Sequence, residues 1–309
     1  MGEVARVLDR QLGREVALKS LRTNHRDNPD SIARFLREAK ATSQLQHPNI
    51  PPVHELGQTA EGSPYFTMTL VRGETLSQVV DRMRRGDPET HRQFSFARRI
   101  QVIQLVCDAI HYAHSCGFLH RDLKPDNIMI GPFGEVQVMD WGLVRRISGD
   151  ETPPEPGLTR VGTVVGTLAY AAPEQIAGES AALDARTDVY GLGALLYEFS
   201  TLHPPHQGKS VKELMTSVMT RSPARPESFQ HEIQGRVPVE LSEVILEAMS
   251  SLPDERMASA LEFRVRLQQI LEGKTPSETA QHPLLRGLMT LWAISPVILL
   301  AYIAWDHFQ

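Results

Sequence analysis

The sequence predicts an α+β molecule of two unequal lobes, a small strand-rich one and a larger helical one, followed by a C-terminal transmembrane helix. Three observations carry this. Apolar alternation with period two recurs at 4–8, 16–21, 53–56 and 65–70, the pattern of half-buried strands. After Gly73 the period becomes helical, at 76–83 and 97–115 and again in the stripes Val211, Leu214, Met215, Val218, Met219 and Leu241, Val244, Ile245, Ala248, Met249. Finally, 287–305 contains no charged residue, and about twenty apolar residues suffice for a helix to cross the hydrocarbon of a bilayer.

Taken in order, the strand over 16–21 ends its Val-Ala-Leu-Lys run on Lys19, a lysine expected to point inward. One helix interrupts the strands: Ser31 is its expected cap, Ile32, Phe35, Leu36 and Ala39 form its apolar stripe, and Arg34 and Glu38 stand beside that stripe. Short strands are expected over 127–130 and 136–139, and the polar, Pro-rich stretch 148–157 reads as a loop. The domain reading is 1–71 for the small lobe, 72–273 for the large lobe, 274–286 for a linker and 287–305 for the membrane helix. Arg286 and Asp306 flank that last run, and Trp292, Tyr302 and Trp305 suit headgroup regions. The expected location is therefore an inner or plasma membrane, single-pass, with the lobes in the cytoplasm. Pro296 is tolerable in such a helix.

Composition narrows the function classes. A formal net charge of -5 gives no general electrostatic reason to expect nucleic acid as a partner. Cys107 and Cys116 have no second pair to build a disulfide framework or a zinc site, which suits free thiols in a reducing compartment. Glu3, Arg6, Asp9 and Arg10 rule out the apolar core of a signal peptide at the N-terminus. Gly2 is followed by Arg6 where N-myristoylation wants Ser or Thr.

A cleft between two lobes is where ligands bind, and the residues bordering this one carry chemistry. The stretch HRDLKPDNIMI, 120–130, sets an acid, a base and an amide close together, and Asp140 in MDWG adds a second acid. Phosphoryl transfer asks a protein for positioning and charge neutralisation. Asp122 can accept the proton of an attacking hydroxyl and Lys124 can sit beside the transferring group, while Asn127 and Asp140 offer oxygen ligands to magnesium. His111, His114, Cys116 and His120 also lie near one another, but their spacing matches no zinc pattern.

From Gly2 to about Leu271 the chain resembles the eukaryotic-like, bacterial-type serine/threonine protein kinases. Lys19 of VALK resembles the family's lysine, Glu38 in RFLREA its ion-pair partner, and HRDLKPDN with the acid of DWG its catalytic and metal motifs. Glu174 in AAPE, Asp188 in TDVYGLG and Arg256 in PDERM match its structural acid, bracing acid and paired arginine. The resemblance implies a bilobal kinase fold that binds ATP and Mg2+ and acts on protein Ser and Thr, and a homodimer is an allowed assembly. It implies that Gly2, Val4, Ala17, Lys19, Met68, Thr69, Val71 and Met129 line the nucleotide site, Met68 guarding its rear, Ala17 and Met129 forming roof and floor, and the backbone of Thr69 and Val71 meeting the adenine edge. Thr69 replaces the family's usual acid. Lys124 together with Thr167 in GTLAY looks like the Ser/Thr rather than the Tyr version. Arg121, ahead of the catalytic acid, implies regulation by activation-segment phosphorylation at Thr159 or Thr163, with Thr163 expected as the principal site.

Two departures stand out. Trp141 occupies the place where the family usually has Phe. Of the Gly-x-Gly-x-x-Gly-x-Val loop that covers the phosphates in this family, only Gly2 and Val4 are present. The expectation is a start lying upstream; the alternative reading is a kinase-shaped scaffold that cannot hold ATP productively.

Overall fold

A computed structural model of the chain describes residues 2–22, 25, 28–143, 145–146, 165–178 and 183–274. The small lobe is an antiparallel sheet of β1 (Gly2–Asp9), β2 (Arg14–Leu21), β3 (Val53–Gln58) and β4 (Pro64–Thr69), ordered β1-β2-β4-β3, with helix α1 (Pro29–Ser43) inserted between β2 and β3. The β1–β2 hairpin turns on Asp9, whose carboxylate accepts the amides of Gln11 (3.1 Å) and Leu12 (3.2 Å), and on Gly13, whose φ of 65° is left-handed. Alternation sends Ala17, Leu21, Phe66 and Met68 to one face, where they close over Phe35 and Ala39 of α1.

Helix α1 begins earlier than the sequence suggests. Its cap is Asn28, whose side chain accepts the amide of Ser31 at 3.1 Å, with Pro29 in the first turn. Ser31 is thus the residue capped, not the cap. The fixed φ of proline suits the first helical position and shifts the start by one turn.

The large lobe opens with β5 (Glu74–Thr75) and α2 (Leu76–Arg84), held by a reciprocal box in which Thr75 Oγ1 accepts from the Gln78 amide and Gln78 Oε1 from the Thr75 amide. Then come α3 (Pro88–Gln93), α4 (Phe96–Ser115), β6 (Phe118–Leu119), β7 (Ile128–Ile130), β8 (Val136–Val138) and β9 (Arg145–Arg146). Strands β5-β7-β8 form one small sheet and β6-β9 another. They are followed by α5 (Val165–Leu168), α6 (Pro173–Ala177), α7 (Ala185–Thr201), α8 (Val211–Thr220), the hairpin β10 (Gln230–His231) and β11 (Gly235–Arg236), α9 (Val239–Ala248) and α10 (Ala260–Leu271). Helix α7 is the axis of this lobe, buried from Thr187 to Thr201 and packed against α4 and α9. The contacts define one compact unit from 1 to 268 and a second from 269 to 309, of which 269–274 are described.

The two-lobed, strand-then-helix fold stands, and one part of the expected fold class is corrected. Among the described residues no helix is long and apolar enough to cross a membrane. Even α4, at 20 residues, carries Arg98, Arg99 and Asp108. The apolar run 287–305 lies outside the described residues. No described helix supports the membrane partnership inferred from it.

Candidate active site

Strand β2, helix α1 and the turn after β8 bring three charges together. Lys19 Nζ is ion-paired with Glu38 Oε1 and donates to Asp140 Oδ1 at 3.1 Å. Burial works against the ammonium, but the charges of Asp140 and Glu38 outweigh it and hold the Lys19 pKa above its ordinary value. Burial likewise pushes Glu38 up, against the pull of Lys19 and with the repulsion of Asp140 adding to it. For Asp140 burial is outweighed by the charge and hydrogen bond of Lys19, and its carboxyl lies below the usual value. Its side chain keeps 46 % of its surface open to the cleft.

The catalytic-loop residues converge separately. Lys124 Nζ donates to Asp122 Oδ2 (2.8 Å) and to Thr167 Oγ1 (3.3 Å), and Asn127 Nδ2 donates to the Asp122 carbonyl (2.8 Å) and to Oδ2 (3.1 Å). Among the described residues, Asp122 Oδ1 is buried with no hydrogen-bond partner. A buried acceptor without a donor is costly in a finished structure, and a substrate hydroxyl is one donor able to satisfy it.

Asp188, in the first turn of α7, builds the loop from beneath. Its carboxylate accepts the amides of His120 (2.8 Å) and Arg121 (2.8 Å) and lies 2.7 Å from His114 Nε2. Complete burial raises its pKa, but the hydrogen bond and charge of His114 more than reverse this. Arg121 has a left-handed φ of 67°, disfavoured for any residue with a Cβ, and its carbonyl is held by Gln175 Nε2 at 2.9 Å. Glu174 and Arg256 form a buried two-pronged pair at 2.7 and 2.9 Å.

The residues expected around a nucleotide fall on both sides of the cleft. Ala17 faces Met68 across the β2–β4 ladder, and both join the small-lobe core. Val4 pairs with Lys19 in the β1–β2 register and is 59 % exposed, while a Cβ on Gly2 would come within 3.1 Å of Lys19 Cε. Thr69 ends β4, half-buried Val71 follows, and half-buried Met129 sits in β7. Thr159 and Thr163 lie outside the described residues. The sequence reading missed the supporting partners: His114, passed over as an ordinary histidine, and Gln175, which follows the matched Glu174 but carries no signal of its own.

Residues 1–272 match the protein kinase domain family. The chain is 36 % identical over 283 residues to a probable serine/threonine-protein kinase of Streptomyces coelicolor, covering 91 % of this chain and 39 % of that protein. It is 38 % identical over 230 residues to the serine/threonine-protein kinase PknD of Protochlamydia amoebophila (69 % and 23 %). Against the serine/threonine-protein kinase PknB of Mycobacterium leprae it is 36 % identical over 279 residues (89 % and 42 %). The chain therefore belongs to the protein kinase domain family, and it spans 42 % or less of the length of these curated relatives.

Proposed function

We propose that this chain is the catalytic domain of a serine/threonine protein kinase, moving the γ-phosphoryl group of ATP to Ser and Thr hydroxyls of protein substrates. The observation that carries this is Asp122 Oδ1, buried and without a partner among the described residues, while Oδ2 of the same carboxylate is anchored by Lys124 and Asn127. The substrate oxygen attacks the γ-phosphorus, its proton passes to Asp122, and the bond to the bridging oxygen breaks to release ADP. Lys124 neutralises charge on the group in flight, and its contact with Thr167 ties the substrate-facing segment to the base. Lys19, steadied by Glu38, meets the α and β phosphates.

Magnesium fits the donor set. Asn127 commits its amide hydrogens to Asp122, which leaves its carbonyl oxygen free to ligate, and Asp140 turns a carboxylate to the cleft. Held by Asn127 and Asp140, magnesium would offset the charge of the nucleotide phosphates. Ala17, Met68, Val4 and Met129 enclose the adenine, with the backbone of Thr69 and Val71 at its edge, and Gly2 lies beside the phosphates. Phosphorylation of Thr163, with Thr159 as the secondary site, orders the activation segment through Arg121.

The test is phosphotransfer by the full chain from radiolabelled ATP to casein, followed by phosphoamino-acid analysis. Label appears on Ser and Thr and not on Tyr, and Asp122→Asn lowers the rate by at least about a hundredfold while calorimetric Mg-ATP binding is unchanged. Binding without transfer in the parent chain would favour the scaffold reading. Mass spectrometry of the active protein finds phosphate on Thr163; none on either threonine would defeat the regulatory part.

A further inference from the structure

Asp140 is held in an uncomfortable backbone state, with a left-handed φ of 58°. On its N-terminal side the chain is pinned at each step. The Val138 amide donates to Asn49 O (2.8 Å), the Met139 amide donates to Asn127 O (2.7 Å), and His120 Nε2 lies 3.1 Å from Met139 O. On its C-terminal side stands Gly142, which adds no side-chain restraint. The anchor there is Trp141. Its side chain is 1 % exposed, its ring meets that of His120 edge-on at 4.6 Å, and its indole Nε1–H donates to the Val138 carbonyl at 3.2 Å.

That bond runs from the residue after Asp140 back to the second residue before it, so it closes a loop around the strained position. A phenylalanine would fill less of the hollow and has no N–H to give. To turn Asp140 away from Lys19, Trp141 must leave its enclosed site and strip a buried donor of its acceptor. We propose that Trp141 is a positioning residue, whose indole N–H clasps the Val138 carbonyl and keeps the Asp140 carboxylate turned toward Lys19. This rests on the reading of Asp140 as the magnesium ligand. It adds that the ligand is preset by the clasp before any phosphate reaches the activation segment.

Replacing Trp141 with 3-benzothienylalanine substitutes sulfur for the N–H and keeps the ring size, and Trp141→Phe removes both the bond and part of the packing. Met139 directly precedes Asp140 and packs against the small-lobe core, so its methyl group, labelled with carbon-13, reports where the segment lies. Saturation-transfer NMR on unphosphorylated full chain is expected to show the population of a second Met139 state about fivefold higher in the benzothienyl protein than in the parent, the equilibrium effect of one buried hydrogen bond. Trp141→Phe raises it further. The Met249 methyl, buried beside α9, stays unchanged and shows that the fold is intact. Equal Met139 spectra in the parent and the benzothienyl protein overturn the clasp. Saturating Mg-ATP suppresses the second state in every variant. A failure of that suppression counts against the phosphotransfer reading, while the clasp is decided by the comparison without nucleotide.

Discussion

Gly142 lacks a side chain at a place where one has little room. A Cβ there would lie 3.2 Å from Asp140 Oδ1 and 3.3 Å from Glu38 Oε2, oxygens of the two carboxylates that share Lys19. Gly142→Ala is therefore expected to leave the melting temperature nearly unchanged but to lower kcat/KM about tenfold, because displacing a positioned carboxylate by a fraction of an ångström costs rate more than stability. Equal kcat/KM in the two proteins would remove the argument. Glu38→Gln acts differently. It keeps the shape of the ion-pair partner and removes its charge, leaving Lys19 to Asp140 alone. The expected result is weaker Mg-ATP binding, by about tenfold in a calorimetric titration, as the lysine is drawn away from the phosphates.

At the scale of elements, α7 packs closely beneath one end of the site. Glycines bring it close to its neighbours: a Cβ on Gly191 would stand 3.0 Å from Leu123 Cβ, and one on Gly193 would stand 2.8 Å from Ala248 Cβ. Gly193→Val forces α7 and α9 apart and should cost about 2 kcal/mol, read as a lower urea midpoint. A buried histidine sets a pH limit on the same lobe. His206 is enclosed between Tyr190 Oη at 3.0 Å and Ser217 Oγ at 3.3 Å, and burial lowers its pKa to about 4. The folded pKa is depressed, so the neutral ring's contribution is fully present above the unfolded value near 6.5 and is lost as pH falls from there toward 4. The loss is on the order of 3 kcal/mol, and the difference in urea stability between the parent and His206→Gln should shrink over that window. Such elements differ in how readily the sequence shows them. The small-lobe strands face a core on one side, so period two is written into them. Helix α7 is buried all round, so it has no one-sided apolar stripe, and Gly191 and Gly193 interrupt its run of helix formers. The clasp of Trp141 is equally silent, because its partner is a backbone carbonyl that any residue at 138 would supply.

For the whole molecule, the proposed catalytic residues were legible as candidates because phosphoryl transfer demands particular side chains at fixed spacing, whereas what holds them is spread over distant segments. The bond from Lys19 to Asp140 crosses between the lobes, Asp188 reaches up from α7 to the catalytic loop, and the Glu174–Arg256 pair joins residues 82 apart in the chain. This last contact is a buried ion pair. Arg256 and Glu174 are both buried, Thr187 Oγ1 adds a hydrogen bond to Glu174 Oε1 at 3.0 Å, and the guanidinium lies 5.0 Å from the Tyr190 ring centre. Removing one partner strands a buried charge. Arg256→Met or Glu174→Met alone is thus expected to cost about 3–5 kcal/mol. Replacing both removes the stranded charge, so the double variant should be more stable than either single one, with a coupling of at least about 2 kcal/mol in a urea-denaturation cycle. Its phosphotransfer should still fall below that of the parent, since α6, which carries Glu174, also supplies Gln175 to the Arg121 carbonyl. Additive single effects would mean that the pair is solvated and that the segment ending in α6 is held by packing instead.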